Sequence, residues 1–174
     1  MAVFGAFYGV VRSIEEFWTT AQGPDGCTKL ISVTGQNRSI VNFVVSLDTY
    51  FMDREAVETR DIVVGFYDLN APALAIYPPQ YQAVVMAKVT GNQAVTVDHF
   101  NPQLINSDGT LQLRITRATR VLIPNGQRFT GSLQNRDLAV VYPPLPRIPR
   151  AGSAGVPEQI TPTQVIVLCR GDLR

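Results

Sequence analysis

The sequence predicts an all-β protein, and three observations carry that prediction. Short runs rich in Val, Ile, Thr, Phe and Tyr recur along the chain, separated by clusters of Gly, Asn, Asp, Ser and Pro. No stretch sustains the 3.6-residue apolar period of an amphipathic helix. Twelve prolines and thirteen glycines fall mostly between the runs, as short-strand architecture requires. At 174 residues the chain is long enough for one large or two small domains, and its 45% hydrophobic content excludes a mostly disordered chain.

Taken in order, the strand signals are Val10 to Phe17, Thr28 to Thr34 and Ser39 to Leu47, with Gly35-Gln36-Asn37 between the second and third. Asp53 to Thr59 suits one or two helical turns. Ile62 to Tyr67, Tyr81 to Val89 and Ala94 to Phe100 follow. In Thr110 to Thr116, Leu111, Leu113 and Ile115 alternate with Gln112 and Arg114, the pattern of a half-buried strand. Arg120 to Ile123, Asp137 to Tyr142 and Thr163 to Cys169 complete the set, with turns at Gly91-Asn92, Ser107-Asp108-Gly109 and Pro124-Asn125-Gly126.

A weak internal repeat runs through these strands. Arg60 to Tyr67 resembles Arg136 to Tyr142, and Thr49-Tyr50-Phe51 precedes the first as Thr119-Arg120-Val121-Leu122 precedes the second. A proline-rich loop follows each, Pro72 to Pro79 or Pro143 to Pro162, and an apolar strand closes each, Ala83 to Met86 or Val165 to Leu168. The expected organisation is an arm over residues 1–9, a first lobe over 10–90 and a second over 91–174. Both lobes are expected as small barrels or sandwiches in tandem. The first is OB-like in the order and spacing of its strands, an analogy of layout that does not fix function.

Charged residues make up only 17% of the chain and net charge is +1, so copies repel one another weakly. Lys29 and Lys88 are the only lysines, and Glu15, Glu16, Glu55, Glu58 and Glu158 the only glutamates. Interfaces favour Arg over Lys and Glu, although a lineage bias towards Arg gives the same usage. No apolar run approaches the roughly 20 residues that cross a bilayer, so no membrane partner is expected. Ala2 to Val11 is apolar but lacks the basic opening of a signal peptide. The expectation is synthesis in the cytoplasm, with any arrival at a cell or spore surface by lysis or an unusual route.

Catalytic chemistry has little to work with. His99 is the only histidine and has no nucleophile in its neighbourhood of sequence. With two cysteines, Cys27 and Cys169, a zinc site lacks ligands; ordinary thiols, an intersubunit disulfide and an intrachain bridge all remain open. Asp53, Glu55, Glu58 and Asp61 cluster, but Arg54 and Arg60 interrupt them and the spacing is not that of an EF-hand. No catalytic residue, metal or cofactor is expected. Nucleic-acid binding draws on Arg114, Arg117 and Arg120 with Phe66, Tyr67, Tyr77 and Tyr81, against a near-zero net charge that supplies no basic field. Arg170-Gly171-Asp172 spells an integrin-recognition tripeptide, a pattern too short to carry weight.

The N-terminal run is apolar, β-capable and glycine-spaced. An extended arm of this kind adds a strand to a neighbour's exposed edge, with Val3, Phe4, Phe7 and Tyr8 as its anchors; the other reading is an ordinary first strand.

Ser39 to Ser46, Thr49-Tyr50-Phe51, Gly65 to Pro72 and Ile76-Tyr77-Pro78-Pro79-Gln80-Tyr81 together carry a resemblance. With Asn135 to Leu138 and Val165 to Cys169, the chain resembles an uncharacterised family of β-rich proteins from anaerobic, spore-forming Firmicutes. The resemblance implies lineage and fold and transfers no catalytic residue. In general plan the chain is also similar to endospore appendage proteins, small β-proteins without signal peptides that assemble through terminal arms and cysteines. The function expected on this basis is a self-assembling filament or coat subunit that binds itself, with an OB-like module for single-stranded nucleic acid or oligosaccharide as the alternative.

Overall fold

The computed structural model describes residues 3–145 and 156–170, and the fold is all-β. The chain divides into two compact units, Phe4–Val89 and Thr90–Arg174, the latter together with the first three residues. The first unit contains β1 (Phe4–Glu16), β2 (Lys29–Thr34), β3 (Ile40–Val45), β4 (Tyr50–Phe51), β5 (Ile62–Asp68) and β6 (Gln80–Lys88). Gln36–Arg38 and Met52–Arg54 are single 3-10 turns, and Glu55 is already extended, so the helix expected over Asp53 to Thr59 shrinks to one turn.

Pairing in this unit closes on itself. β1 is antiparallel to β2 and β2 to β3; β3 runs parallel to β6; β6 is antiparallel to β5, and β5 returns to β1. Beside this circuit β4 adds a second parallel pairing to β6. Alternate residues point inwards, so Val11, Ile31, Val33, Val41, Phe43, Val45, Val63, Ala83 and Met86 form one core. Each of these side chains except that of Ala83 contributes about 1.5–3 kcal/mol on burial. Phe43 sits centrally, its ring 6.5 Å from Phe7 and 6.2 Å from Tyr67, which stacks on Tyr81 at 3.9 Å. Backbone must come close to admit these rings. A Cβ on Gly65 would lie 2.5 Å from the Phe43 ring, and one on Gly9 would lie 2.3 Å from the Thr34 carbonyl oxygen.

The separate arm expected over residues 1–9 is corrected here. β1 is continuous from Phe4, and Phe4 to Val10 pair residue by residue with Asp68 to Ile62 of the same chain. Phe7 packs on the core while Tyr8 is exposed, an in-and-out alternation that fits an ordinary barrel strand. Val3 precedes the strand, and Met1 and Ala2 lie outside the described residues.

The second unit contains β7 (Ala94–Phe100), β8 (Leu111–Leu113), β9 (Arg120–Leu122), β10 (Arg136–Tyr142), β11 (Glu158–Ile160) and β12 (Gln164–Val167). Its strands run β7-β10-β12-β9, and β11 pairs parallel with β8. Phe100, Leu113, Leu138, Val140, Ile160, Val165 and Val167 form its core.

The two units repeat one plan of pairing. β5 and β10 lie between an antiparallel first strand and an antiparallel last strand. β4 on β6 matches β9 on β12, and β3 on β6 matches β8 on β11. Thr49 donates its hydroxyl to Ala83 O at 2.7 Å and accepts from Ser46 N; Thr119 donates to Pro162 O at 2.8 Å and accepts from Thr116 N. The partners also set the register of the repeat. Val64 corresponds to Ala139, so Arg60 falls opposite Asn135, not Arg136, and both have positive φ. The Arg-Asp match in the sequence is therefore one residue out of step, and Ala83 corresponds to Pro162, three residues before the position the sequence suggested. β4 and β11, of two and three residues, are further short strands beyond those the sequence marks.

Candidate functional site

A cleft of about 330 Å³ opens on the outer face of β1, β2 and β3, lined by Arg12, Ser13, Glu15, Leu30, Ser32, Ile40, Asn42 and Pro78. The strand pattern explains the lining. Ile31, Val33, Val41 and Phe43 face the core, which turns Leu30, Ser32, Ile40 and Asn42 outwards. In β1 the register to β2 shifts between Val11 and Ser13. This bulge is one residue longer than its partner, so Arg12 and Ser13 both reach the outer face while Val11 stays buried.

The centre of the cleft is a row of uncharged polar side chains in cross-strand register: Ser13 opposite Ser32, Ser32 opposite Asn42, and Asn42 opposite Gln80. Leu30 and Ile40 flank the row, and Arg12 and Glu15 give the β1 side one charge of each sign. Asn42 Oδ1 is the one buried side-chain polar atom without a hydrogen-bond partner among the described residues. Such an acceptor carries a desolvation cost of roughly 1–3 kcal/mol until a donor reaches it.

Two loops adjoin these strands. The one leaving β1 carries Trp18, the only tryptophan of the chain and 65% exposed. The one entering β6 supplies Pro78 to the cleft and carries Tyr77, 80% exposed. Both rings are open to solvent and so available for stacking.

The corresponding strands of the second unit are arranged differently. By register Gln112 takes the place of Asn42, and its amide is satisfied: Nε2 donates to Gln103 O at 3.1 Å, and Oε1 accepts from Gln159 Nε2 at 3.5 Å. Ile105 bridges to Gln112 where Ser32 faces Asn42. The polar row is a property of the first unit.

The residues singled out from sequence lie elsewhere. His99 Nδ1 is 2.8 Å from Asp137 Oδ1 across the β7–β10 pair, and both side chains are largely buried. Of the acidic cluster, Glu55 and Asp61 are both reached by Lys88 Nζ from β6. The four rings considered for stacking separate. Phe66 is buried, Tyr67 and Tyr81 stack on each other against the core, and Tyr77 is exposed. Burial beside Tyr81 also pushes the Tyr67 phenol above its usual range. Cys27 and Cys169 are both free and exposed. Gly171 and Asp172 of the integrin-type tripeptide fall outside the described residues.

Arg12, Ser13, Ser32 and Asn42 were missed as a site. The available signal was a polar residue at an alternate position inside each apolar run, Ser32 in Leu30–Thr34 and Asn42 in Ile40–Val45. Only the register shows that they form one row. Family models, curated proteins and solved structures were compared with the chain, and none matches it.

Proposed function

We propose that this protein is an OB-like binding module for an oligosaccharide, held on the outer face of β1, β2 and β3. One observation carries the reading: the polar row Ser13–Ser32–Asn42 lines a cleft on β1, β2 and β3, bordered by Pro78 next to the exposed Tyr77. The circuit β1-β2-β3-β6-β5-β1 has the strand order of a five-stranded OB barrel. In such barrels the face of the second and third strands, together with the loops after the first and before the last strand, takes oligonucleotides or oligosaccharides.

The chemistry favours the saccharide. Sugar hydroxyls donate to an amide oxygen and exchange hydrogen bonds with serine hydroxyls, while their apolar faces stack on exposed rings. A phosphate backbone needs a basic field, and here Glu15 offsets Arg12. Assembly through an N-terminal arm has less support, because Phe4 to Val10 already pair with β5.

Trp18 is a built-in reporter. Titration with panels of neutral and acidic oligosaccharides and with single-stranded oligonucleotides is expected to change its emission for saccharides. Asn42→Leu is expected to weaken that binding by tenfold or more, about 1.4 kcal/mol. Binding of single-stranded DNA that weakens with salt, with no response to any saccharide, would replace the reading with the nucleic-acid alternative.

A further inference from the structure

The near-zero net charge conceals an opposition between the two units. Phe4–Val89 holds six Lys and Arg against nine Asp and Glu, a net of −3. Thr90–Arg174 holds nine Arg against five Asp and Glu, a net of +4. In each unit the charge concentrates on the same piece of the repeated plan. From Asp48 to Asp61, around β4 and the loop after it, there are five carboxylates and two arginines. From Ala118 to Arg136, the equivalent stretch around β9 and the loop after it, there are three arginines and no carboxylate, and Arg114 and Arg117 lie just before it.

The turns before β4 and β9 match atom for atom in their threonine hydrogen bonds, so the comparison is between equivalent positions. Arg117 occupies the place of Leu47 on the turn, and Arg120 the place of Tyr50 at the start of the short strand. Arg114, Arg117, Arg120 and Arg128 are all exposed, and none forms an ion pair with another described residue. Asp48, Asp53 and Glu58 are exposed in the first unit. Like-charged guanidinium groups on neighbouring exposed positions repel one another, and an acidic surface relieves that repulsion.

We infer that the arginine face around β9 of one copy docks on the acidic face around β4 of another copy, joining the chains head to tail. The occupant is a second copy, because the same chain carries the exposed arginines around β9 and the exposed Asp48, Asp53 and Glu58 around β4. The contact is heterologous, so it propagates into an open chain or closes as a ring. This inference does not depend on the saccharide cleft, whose residues lie on β1–β3 and at Pro78.

Analytical ultracentrifugation over a range of protein and salt concentrations tests it. At low ionic strength the average mass is expected to rise above the 19.1 kDa monomer as concentration increases. It is expected to return to monomer near 0.5 M salt, where charges are screened within a few ångströms. Arg117→Glu with Arg120→Glu, and separately Asp48→Arg with Glu58→Arg, should each weaken association at least tenfold. Mixing the two variants should restore it, which also shows that both are folded. A wild-type monomer at low salt, association indifferent to these reversals, or a monomer whose arginine face instead captures single-stranded DNA would overturn the proposal.

Discussion

Gly65 shows how tightly single positions are set. It sits in β5 beneath the Phe43 ring, with no room for a methyl group. Gly65→Ala is expected to destabilise the first unit by about 1–3 kcal/mol through overpacking, read by denaturant unfolding. His99 and Asp137 make a second residue-scale case. His99→Leu leaves a largely buried carboxyl without its partner, at an expected loss of about 1–3 kcal/mol. The double variant His99→Leu with Asp137→Leu should cost less than the two single changes summed, because it removes both polar groups together. Two exposed turns supply a pH dependence. The Asp61 carboxyl is held below its ordinary 3.8 chiefly by the Glu58 backbone N–H, against slight desolvation and with help from Lys88. The Thr110 hydroxyl and backbone N–H do the same for Asp108, against slight desolvation. Both folded values lie below the unfolded one, so the stabilisation is full above about pH 4 and fades as pH falls through the folded values. Asp61→Asn with Asp108→Asn should flatten the acid limb of a melting-temperature profile below pH 4.

At the scale of elements, the repeated piece is a turn followed by a short parallel strand, pinned by one threonine. Thr49 and Thr119 are each 9% exposed and each bonds a carbonyl of a distant strand. A two- or three-residue strand has little pairing of its own, so this hydroxyl decides whether β4 or β9 stays in place. Thr49→Val and Thr119→Val keep the shape and remove the donor. Each is expected to cost about 1–3 kcal/mol and to raise amide hydrogen exchange locally, around β4 in one variant and β9 in the other. Uniform acceleration across both units in either variant would show that the threonine does not act locally.

The whole molecule combines two surfaces with different physics. The cleft is polar but uncharged at its centre, so saccharide binding should depend weakly on salt. The β4 and β9 faces are charged and exposed, so association should depend on it strongly. Arg117→Glu with Arg120→Glu is accordingly expected to leave the Trp18 saccharide response unchanged, while Asn42→Leu leaves sedimentation unchanged. If the two functions move together, one surface serves both and the separation drawn here fails.

The sequence alone determined the strand content, because β-branched runs bounded by Gly, Pro and Asn have few other conformations. It also suggested a division near residue 90 and a repeat, without the register of that repeat. A period of two assigns faces within a strand but cannot say which strands are neighbours. The tertiary structure alone decided that Phe4–Tyr8 belong to a strand paired with β5, since an apolar β-capable segment satisfies its hydrogen bonds equally well on its own barrel or on another. It decided that Ser13, Ser32 and Asn42 form one row, because a bulge and two registers bring together residues far apart in the chain. It also decided that charges of opposite sign fall on equivalent elements of the two units, a pattern that net charge averages away.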